Sequence, residues 1–360
     1  MNATMLSQRF NWIQAARFWA ALAIIFYHVA VHLRNFFAPH DNAILLMSNV
    51  FLRQGVYLFF SISGFVMARA LSSGKPLQFI RDRFLRIYPP FWLAVGLTFA
   101  VDQLVLGHGP DSSHLFRALT LLPCEQISYP LGIEWTLIYE VFFYAIVGIL
   151  IAIRHAALQG AFIVIWCFSI LLQNMLAPER PLQFLPNWSY IVLSPFNLTF
   201  IAGMAVFRFR QKTWEMRGIL WFLFVVGDIV YQGMGPALPG CWAVALLAVV
   251  WGSMTALLIG ASMHKDLSSS HLFVRWGDWS YGMYLIHVPV ILLIYGWFYS
   301  RQPLKIPHLL LGTGTALIAI VLGMGYGKLE HSLHRRISAL VRSKKPELLL
   351  VDPVQATTPN

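Results

Sequence analysis

Apolar residues occupy most of this chain, in runs of membrane-spanning length separated by short segments that are richer in charge, proline and glycine. A helix needs about 20 such residues to cross the hydrocarbon core of a bilayer. Ten segments reach or approach this length, so the pattern predicts an all-α integral membrane protein, a bundle of about ten transmembrane helices. The predicted spans are 11–33, 47–71, 89–106, 132–153, 158–176, 189–207, 217–232, 238–262, 280–299 and 306–327.

Three of these spans need comment. The first is long enough to cross the membrane and lacks a small-residue cleavage site, so we interpret it as a retained helix rather than a signal peptide. The span 47–71 contains Arg53 and the stretch "SISG", which is compatible with a break. The span 217–232 is short and contains Asp228, which makes it the least regular.

The distribution of basic residues predicts the orientation. With the N-terminus in the cytoplasm, most of the 26 lysines and arginines fall in cytoplasmic loops, which is the positive-inside pattern. Ten spans then place both termini in the cytoplasm. The segment 341–360 has charges and prolines but no spanning pattern, and we predict a mobile cytoplasmic tail there.

Composition agrees with a membrane protein and excludes other classes. The chain is 58% hydrophobic and 11% charged, whereas about a quarter of an average soluble domain is charged. The net charge of +11 would suit nucleic-acid binding, but the basic residues lie between apolar runs at one membrane face, so no nucleic-acid partner is predicted. The three cysteines are far apart and lack CxxC spacing, so neither a metal site nor a disulfide framework is predicted.

Arg17 and His28 are ionisable residues inside the first span. Eleven residues at about 100° each place both side chains on one side of the helix, about 16 Å apart along its axis. Ionisable groups within a membrane usually face a cavity or a partner, so we expect a polar stripe. The alternative is that Arg17 extends to the headgroups and His28 is a packing residue.

Glu140, in the stretch "EWTLIYEVFFY", lies about two turns into the fourth span, while Glu134 begins it. A lone carboxylate at such a depth is costly unless it is paired or protonated. We expect it to pair with Arg17 or His28 across the bundle. A purely structural ion pair between two helices is the alternative.

Arg83 and Arg86, in "FIRDRFLRIYPP", share one face of a short interfacial helix that we expect to end at Pro89 and Pro90. Two guanidinium groups suit a multiply phosphorylated ligand, because each can bind phosphate oxygens bidentately. Binding of anionic lipid is the competing interpretation.

A fourth polar stretch, "GDWSYGMYLIHVPV", precedes and enters the ninth span. Asp278 or Ser280 could cap the helix start. Tyr281, Tyr284 and His287 follow at a spacing that gives them a loosely shared face. His287 is expected either to line the same cavity or to be a core histidine with satisfied hydrogen bonds.

Taken together, these stretches resemble the integral-membrane acyltransferase family 3, the O-acetyltransferases of bacterial surface polysaccharides. The resemblance covers most of the chain, in order, through "IQAARFWAALAIIFYH", "GVYLFFSISGFVMA", "RDRFLRIYPPFWL", "WTLIYEVFFY" and "GDWSYGMYLIHVPV". It is closer to the exopolysaccharide branch than to the branch with an attached hydrolase-like domain.

The resemblance implies one membrane-embedded acyltransferase domain over 1–340, in a bacterial plasma (inner) membrane. It implies a catalytic group of His28, Arg17 and Glu140, with the histidine as general base. Glu140 matches the family's glutamate, which follows the W-[ST]-L motif. Arg83 and Arg86 match the family's R-x-x-R motif near the donor. Implied partners are acetyl-CoA or a similar acyl donor, no metal, a glycan or lipid-linked sugar acceptor, membrane lipid, and proteins of polysaccharide assembly.

Two positions depart from the family pattern. Tyr57 stands where an aspartate is frequent, and Phe18 stands where a glycine often follows the arginine; either could reshape the donor or acceptor channel. A different class of function also fits the physics of ten helices with intramembrane charges, namely a polytopic transporter of glycan or lipid-linked sugar that performs no acyl transfer.

Overall fold

The computed structural model describes residues 9–37, 50–107, 114–124, 129–301 and 306–343. Within these ranges the chain is helical, with one isolated bridge between Cys124 and Asn187 and no longer strand. The helices are α1 (Asn11–Phe37), α2 (Val50–Arg53), α3 (Gly55–Ala68), α4 (Pro76–Leu106), α5 (Leu115–Thr120), α6 (Glu134–Ile153), α7 (Ala156–Leu176), α8 (Trp188–Ile191), α9 (Phe196–Phe209), α10 (Arg217–Met234), α11 (Gly240–His264), α12 (Leu272–Asp278), α13 (Ser280–Tyr299) and α14 (His308–Ser343).

The prediction of an all-α membrane bundle is confirmed. In the described ranges, nine helical segments are long and apolar enough to cross a membrane, with α2 and α3 together forming the second. The short span that contains Asp228 is among them, as α10. Gln54, in the break between α2 and α3, donates to the Asp228 carboxylate (3.1 Å) and accepts from the indole of Trp251 (2.8 Å). The location of both termini in the cytoplasm stays a prediction.

The helices divide into a central and a peripheral set. In the apolar 18-residue stretch of α11, 72% of the residues are buried. The buried share of the corresponding stretch is 17% in α7 and 6% in α10. Large apolar side chains such as Phe168, Phe222 and Ile229 are exposed on these peripheral helices. A soluble protein rarely exposes so much continuous apolar surface, and lipid would cover it here.

The predicted boundary at Pro89 and Pro90 is wrong, because α4 continues through both prolines from Pro76 to Leu106. A proline inside a helix removes the N–H that would bond the carbonyl four residues earlier. For Pro89 that carbonyl belongs to Leu85, and it accepts a hydrogen bond from His334 Nδ1 of α14 (3.2 Å). Neighbouring helices therefore replace the lost hydrogen bond, as membrane proteins require.

The predicted sixth span, 189–207, is also wrong as a single helix. Residues 192–195 separate α8 from α9, which has 14 residues and a length of about 21 Å, shorter than the hydrocarbon core. The carbonyls left open at this break are satisfied by side chains. Asn197 donates to Ile191 (2.8 Å) and Val192 (3.2 Å), and Trp166 donates to Val192 (2.7 Å).

The last helix is longer than its predicted span of 306–327. It runs for 36 residues to Ser343, about 54 Å, which exceeds the thickness of the hydrocarbon core. Residues 341–343 of the predicted tail belong to it, and the remainder of the tail lies outside the described residues. The extension carries Glu330 into contact with α4, as described below.

The start of α1 is held by a loop that is distant in sequence. The carboxylate of Asp266, just after α11, accepts from the backbone N–H groups of Asn11 (3.0 and 3.1 Å) and Trp12 (3.3 Å). Acceptors at a helix N-terminus satisfy N–H groups that have no partner within the helix. This contact fixes the axial position of α1, and hence of Arg17 and His28.

The closest backbone approach between α3 and α9 requires glycine on both helices. A Cβ atom on Gly203 would collide with the backbone of Ser61, and one on Gly64 with the backbone of Phe200. Small residues at helix crossings allow this kind of close packing in membranes. The short α9 is thereby locked against α3, the helix that lines the cavity described next.

We predict that Gly203→Ala destabilises the protein by about 1–3 kcal/mol or more, because the added methyl group forces two packed backbones apart. The measurement is the melting temperature of the detergent-solubilised protein. Gly96→Ala is the matched control: it lies in α4 with open space around the built Cβ, and alanine there should be neutral or stabilising. Equal melting temperatures for the two variants would contradict the prediction.

Candidate active site

A cavity with a volume of about 120 Å³ lies between α1, α3, α4, α6 and α13. Aromatic and aliphatic side chains form most of its wall, but several ionisable groups interrupt them. The polar and ionisable residues on its surface are Arg17, Ser63, Arg83, Arg86, Thr136, Glu140, Tyr144, Ser280, Tyr281 and Tyr284. Four of the five residues predicted as the site, all except His28, therefore line one cavity.

Arg86 is held by a counter-charge that the sequence did not indicate. Its Nη1 lies 2.7 Å from Oε1 of Glu330 on α14, and the Glu330 side chain is 1% exposed. The guanidinium also lies over the ring of Tyr281, 5.2 Å from its centroid. Because the predicted last span ended at residue 327, Glu330 was placed outside the membrane and received no role.

Arg83 has a different environment from Arg86. Its guanidinium lies near the rings of Phe79 (5.3 Å) and Tyr144 (5.7 Å), and its buried Nε has no hydrogen-bond partner within the described residues. A buried donor without a partner is unfavourable. Arg83 thus lines the cavity without an ion pair among the described residues, whereas Arg86 is already paired with a carboxylate.

Glu140 shares the cavity with Arg17, but its hydrogen bond is with Tyr144 one turn along α6, whose hydroxyl donates to Glu140 Oε1 (2.6 Å). Neither expected partner, Arg17 or His28, forms an ion pair or hydrogen bond with Glu140 among the described residues. Glu134 has a structural role, since it is 1% exposed and its carboxylate accepts from the backbone N–H groups of Leu131 (2.7 Å) and Ile133 (2.9 Å).

His28 does not line this cavity and is connected to it through Tyr284 and His287. The hydroxyl of Tyr284 is hydrogen-bonded to Thr136 (2.8 Å), and its ring lies 5.4 Å from that of His287. His287 is fully buried, and its Nε2 lies 3.1 Å from Nδ1 of His28. His28 itself is only half-buried, so the more accessible member of this histidine pair is the one predicted to be catalytic.

The predicted caps of α13 are wrong. Asp278 forms an ion pair with Arg9 (2.6 Å), and the Ser280 hydroxyl donates to the carbonyl of Gly277 (2.7 Å). The structure does bring Tyr281 and Tyr284 to the cavity surface, whereas His287 lies behind it. Over the described part of the chain, no group of three or more His, Cys, Asp or Glu residues is placed to hold a metal ion.

The fold and this site define a polytopic membrane protein whose helices enclose a cationic cavity next to a histidine pair. The description "Acyltransferase domain" applies to a family that matches residues 10–325. The chain belongs to this family, acyltransferase family 3, and is an acyltransferase.

Two curated relatives are similar in sequence. The exopolysaccharide production protein ExoZ of Rhizobium meliloti (strain 1021) is 31% identical over 170 residues, which are 44% of this chain and 51% of ExoZ. The acyltransferase MdmB of Streptomyces mycarofaciens is 26% identical over 310 residues, 76% of this chain and 77% of MdmB. The chain thus spans about half the length of ExoZ and about three quarters of MdmB. No solved structure matches it.

We predict that Glu330→Ala destabilises the protein by up to about 3–5 kcal/mol, because it leaves Arg86 without its counter-charge. Thermal unfolding in detergent would measure the change. Asp82→Ala is the control: its partner is Arg81, in a pair whose side chains are 38% and 39% exposed, and such pairs contribute about 0–1 kcal/mol. A melting temperature for Glu330→Ala as high as that of Asp82→Ala would show that the pair is unimportant for stability.

Proposed function

We propose that this acyltransferase moves an acetyl or similar short acyl group from cytoplasmic acyl-CoA to a hydroxyl of a surface polysaccharide or lipid-linked glycan, in a bacterial inner membrane. His28 is the general base in this proposal. The observation that carries it is one cavity whose surface includes Arg17, Arg83 and Arg86 together with Tyr284, whose ring lies 5.4 Å from that of His287, the partner of His28.

The charges around the cavity suit the proposed donor. Coenzyme A carries several phosphate groups, and guanidinium groups bind phosphate oxygens strongly. Arg83 lines the cavity and has no ion-pair partner in the described part of the chain. Arg17, further along the cavity, would lie beside the thin pantetheine arm as it extends towards His28.

The proposed chemistry is a direct transfer. Neutral His28 accepts the proton of the acceptor hydroxyl as its oxygen attacks the carbonyl carbon of the thioester. The new C–O bond forms, the C–S bond breaks, and the imidazolium returns its proton to the departing thiolate. Glu140, which shares the cavity with Arg17, contributes negative charge that balances the arginines and has no step of its own.

The acceptor is proposed from the relatives. The name of ExoZ links that protein to exopolysaccharide production, and a glycan hydroxyl supplies the nucleophile that acyl transfer needs. In this proposal the acceptor approaches from the side opposite to the arginines. Proteins of polysaccharide assembly are proposed partners for the same reason.

The first test is His28→Ala in membrane vesicles given radiolabelled acetyl-CoA, with radiolabelled succinyl-CoA in parallel. Loss of the base should reduce label transfer to the glycan fraction by about 10²–10⁴-fold, while the variant accumulates normally in the membrane. His32→Ala, which removes a ring 6.0 Å from that of His28, should retain transfer. Wild-type transfer by His28→Ala would refute the assigned base. Movement of glycan without label in the wild type would instead indicate a transporter.

The second test separates donor binding from lipid anchoring. Arg83→Ala should raise the KM for acyl-CoA by about tenfold or more with little change in kcat, because one charged hydrogen bond to phosphate contributes about 1.5–3 kcal/mol. Arg81→Ala is the control, since Arg81 is bonded to its neighbour Asp82 (2.8 Å) and does not line the cavity. An unchanged KM in Arg83→Ala would favour an interaction with anionic lipid.

A further inference from the structure

His287 is a buried titratable residue to which the mechanism above gives no role. It lies on α13, is 0% exposed, and makes two polar contacts. Its Nδ1 lies 2.7 Å from the carbonyl oxygen of Tyr284, and its Nε2 lies 3.1 Å from Nδ1 of His28. The second contact joins α13 to α1, across 259 positions of sequence.

These distances define where the ring hydrogens lie. A carbonyl oxygen only accepts hydrogen bonds, so the hydrogen of neutral His287 must be on Nδ1 and directed to Tyr284. Nε2 of His287 then carries a lone pair. The 3.1 Å contact is a hydrogen bond only if Nδ1 of His28 carries a hydrogen and donates it.

A second acceptor places the same requirement on His28. Its Nδ1 lies 3.0 Å from the carbonyl oxygen of Ile24, one turn earlier on α1. Both neighbours of this nitrogen are therefore acceptors. If the nitrogen carried a lone pair instead of a hydrogen, that lone pair would point at two acceptor atoms, which is unfavourable. A cationic His287 would reverse the bond between the rings, and a charge at a fully buried membrane site is costly.

The geometry points to His287 as the positioning residue that, together with the Ile24 carbonyl, holds His28 with its hydrogen on Nδ1 and its basic lone pair on Nε2. When Nε2 takes the acceptor's proton, Nδ1–H of the new imidazolium donates to neutral Nε2 of His287, which stabilises the cation. The positions of the ring hydrogens follow from the geometry alone, whereas their catalytic consequence rests on the proposed function. His28 thus pairs with His287 and not with Glu140, the partner that the sequence analysis considered for it.

Two amide substitutions separate the two hydrogen bonds of His287. In His287→Asn the side-chain amide can still donate to the Tyr284 carbonyl but is too short to reach His28. In His287→Gln the longer side chain places an amide oxygen near the position of Nε2, where it can accept from His28. Any difference between these variants therefore reports on the bond to His28 rather than on loss of the histidine as such.

The experiment measures transfer from radiolabelled acetyl-CoA to glycan in membrane vesicles, with enzyme content determined for each variant. His287→Asn should lower kcat by about 10²-fold through misplacement of the base, with the KM for acetyl-CoA unchanged, and His287→Gln should recover at least a tenfold part of this loss. A wild-type kcat in His287→Asn, a change confined to KM, or equal activity of the two variants would overturn the proposal. The His28→Ala variant tests a different proposal. Activity in His28→Ala would contradict the proposed function, whereas activity in His287→Asn alone would contradict only the positioning role of His287.

A second measurement observes the ring hydrogens in the wild-type protein directly. Wild-type protein labelled with ¹⁵N and ¹³C in histidine is studied by solid-state NMR, and His28 is assigned from the signal missing in His28→Ala. One-bond correlations reveal which ring nitrogen carries the hydrogen. A hydrogen on Nδ1 of His28 supports the proposal, and a neutral ring with the hydrogen on Nε2 overturns it.

Discussion

A guanidinium group inside a bilayer is tolerated only where water or a counter-charge reaches it, and the centre of this bundle is arranged around that constraint. Arg17 on α1 and Arg83 and Arg86 on α4 all lie at the surface of one cavity. The carboxylates of Glu140 and Glu330 lie in or beside it. Cavity and charges depend on each other, since the helices could not pack these groups into a continuous apolar core without leaving them desolvated.

The hydrophobic pattern was sufficient to predict those helices whose bounds depend only on the local sequence. The bounds of α13 match the predicted 280–299, and the position of α10 was correct despite Asp228. The boundary at Pro89 failed for a different reason. Local rules say that proline ends a helix, but here His334, which is 249 positions beyond Leu85, supplies the missing hydrogen bond to the Leu85 carbonyl. No local pattern could indicate that partner.

The same distinction applies to the site. Arg17, Arg83, Arg86 and Glu140 were identified because an ionisable residue in an apolar run is conspicuous by itself, and all four line the cavity. Their partners were missed. Glu330 lay beyond the end assigned to the last span, and the contact between His28 and His287 depends on how α1 packs against α13. The ionisable residues of the site could be recognised from the sequence, whereas their contact partners could be identified only from the three-dimensional arrangement of the helices.

The capped and anchored α1 has a consequence for selectivity if the chain acts on acyl-CoA as proposed. The helix carries Arg17 and His28 about 16 Å apart along one rigid axis, so it fixes the distance between these two residues beside the donor. In the proposed complex α1 runs beside the pantetheine arm, which is identical in every acyl-CoA. The spacing between Arg17 and His28 therefore cannot distinguish an acetyl from a succinyl group. Choice among acyl groups would fall to the side chains that surround the thioester next to His28.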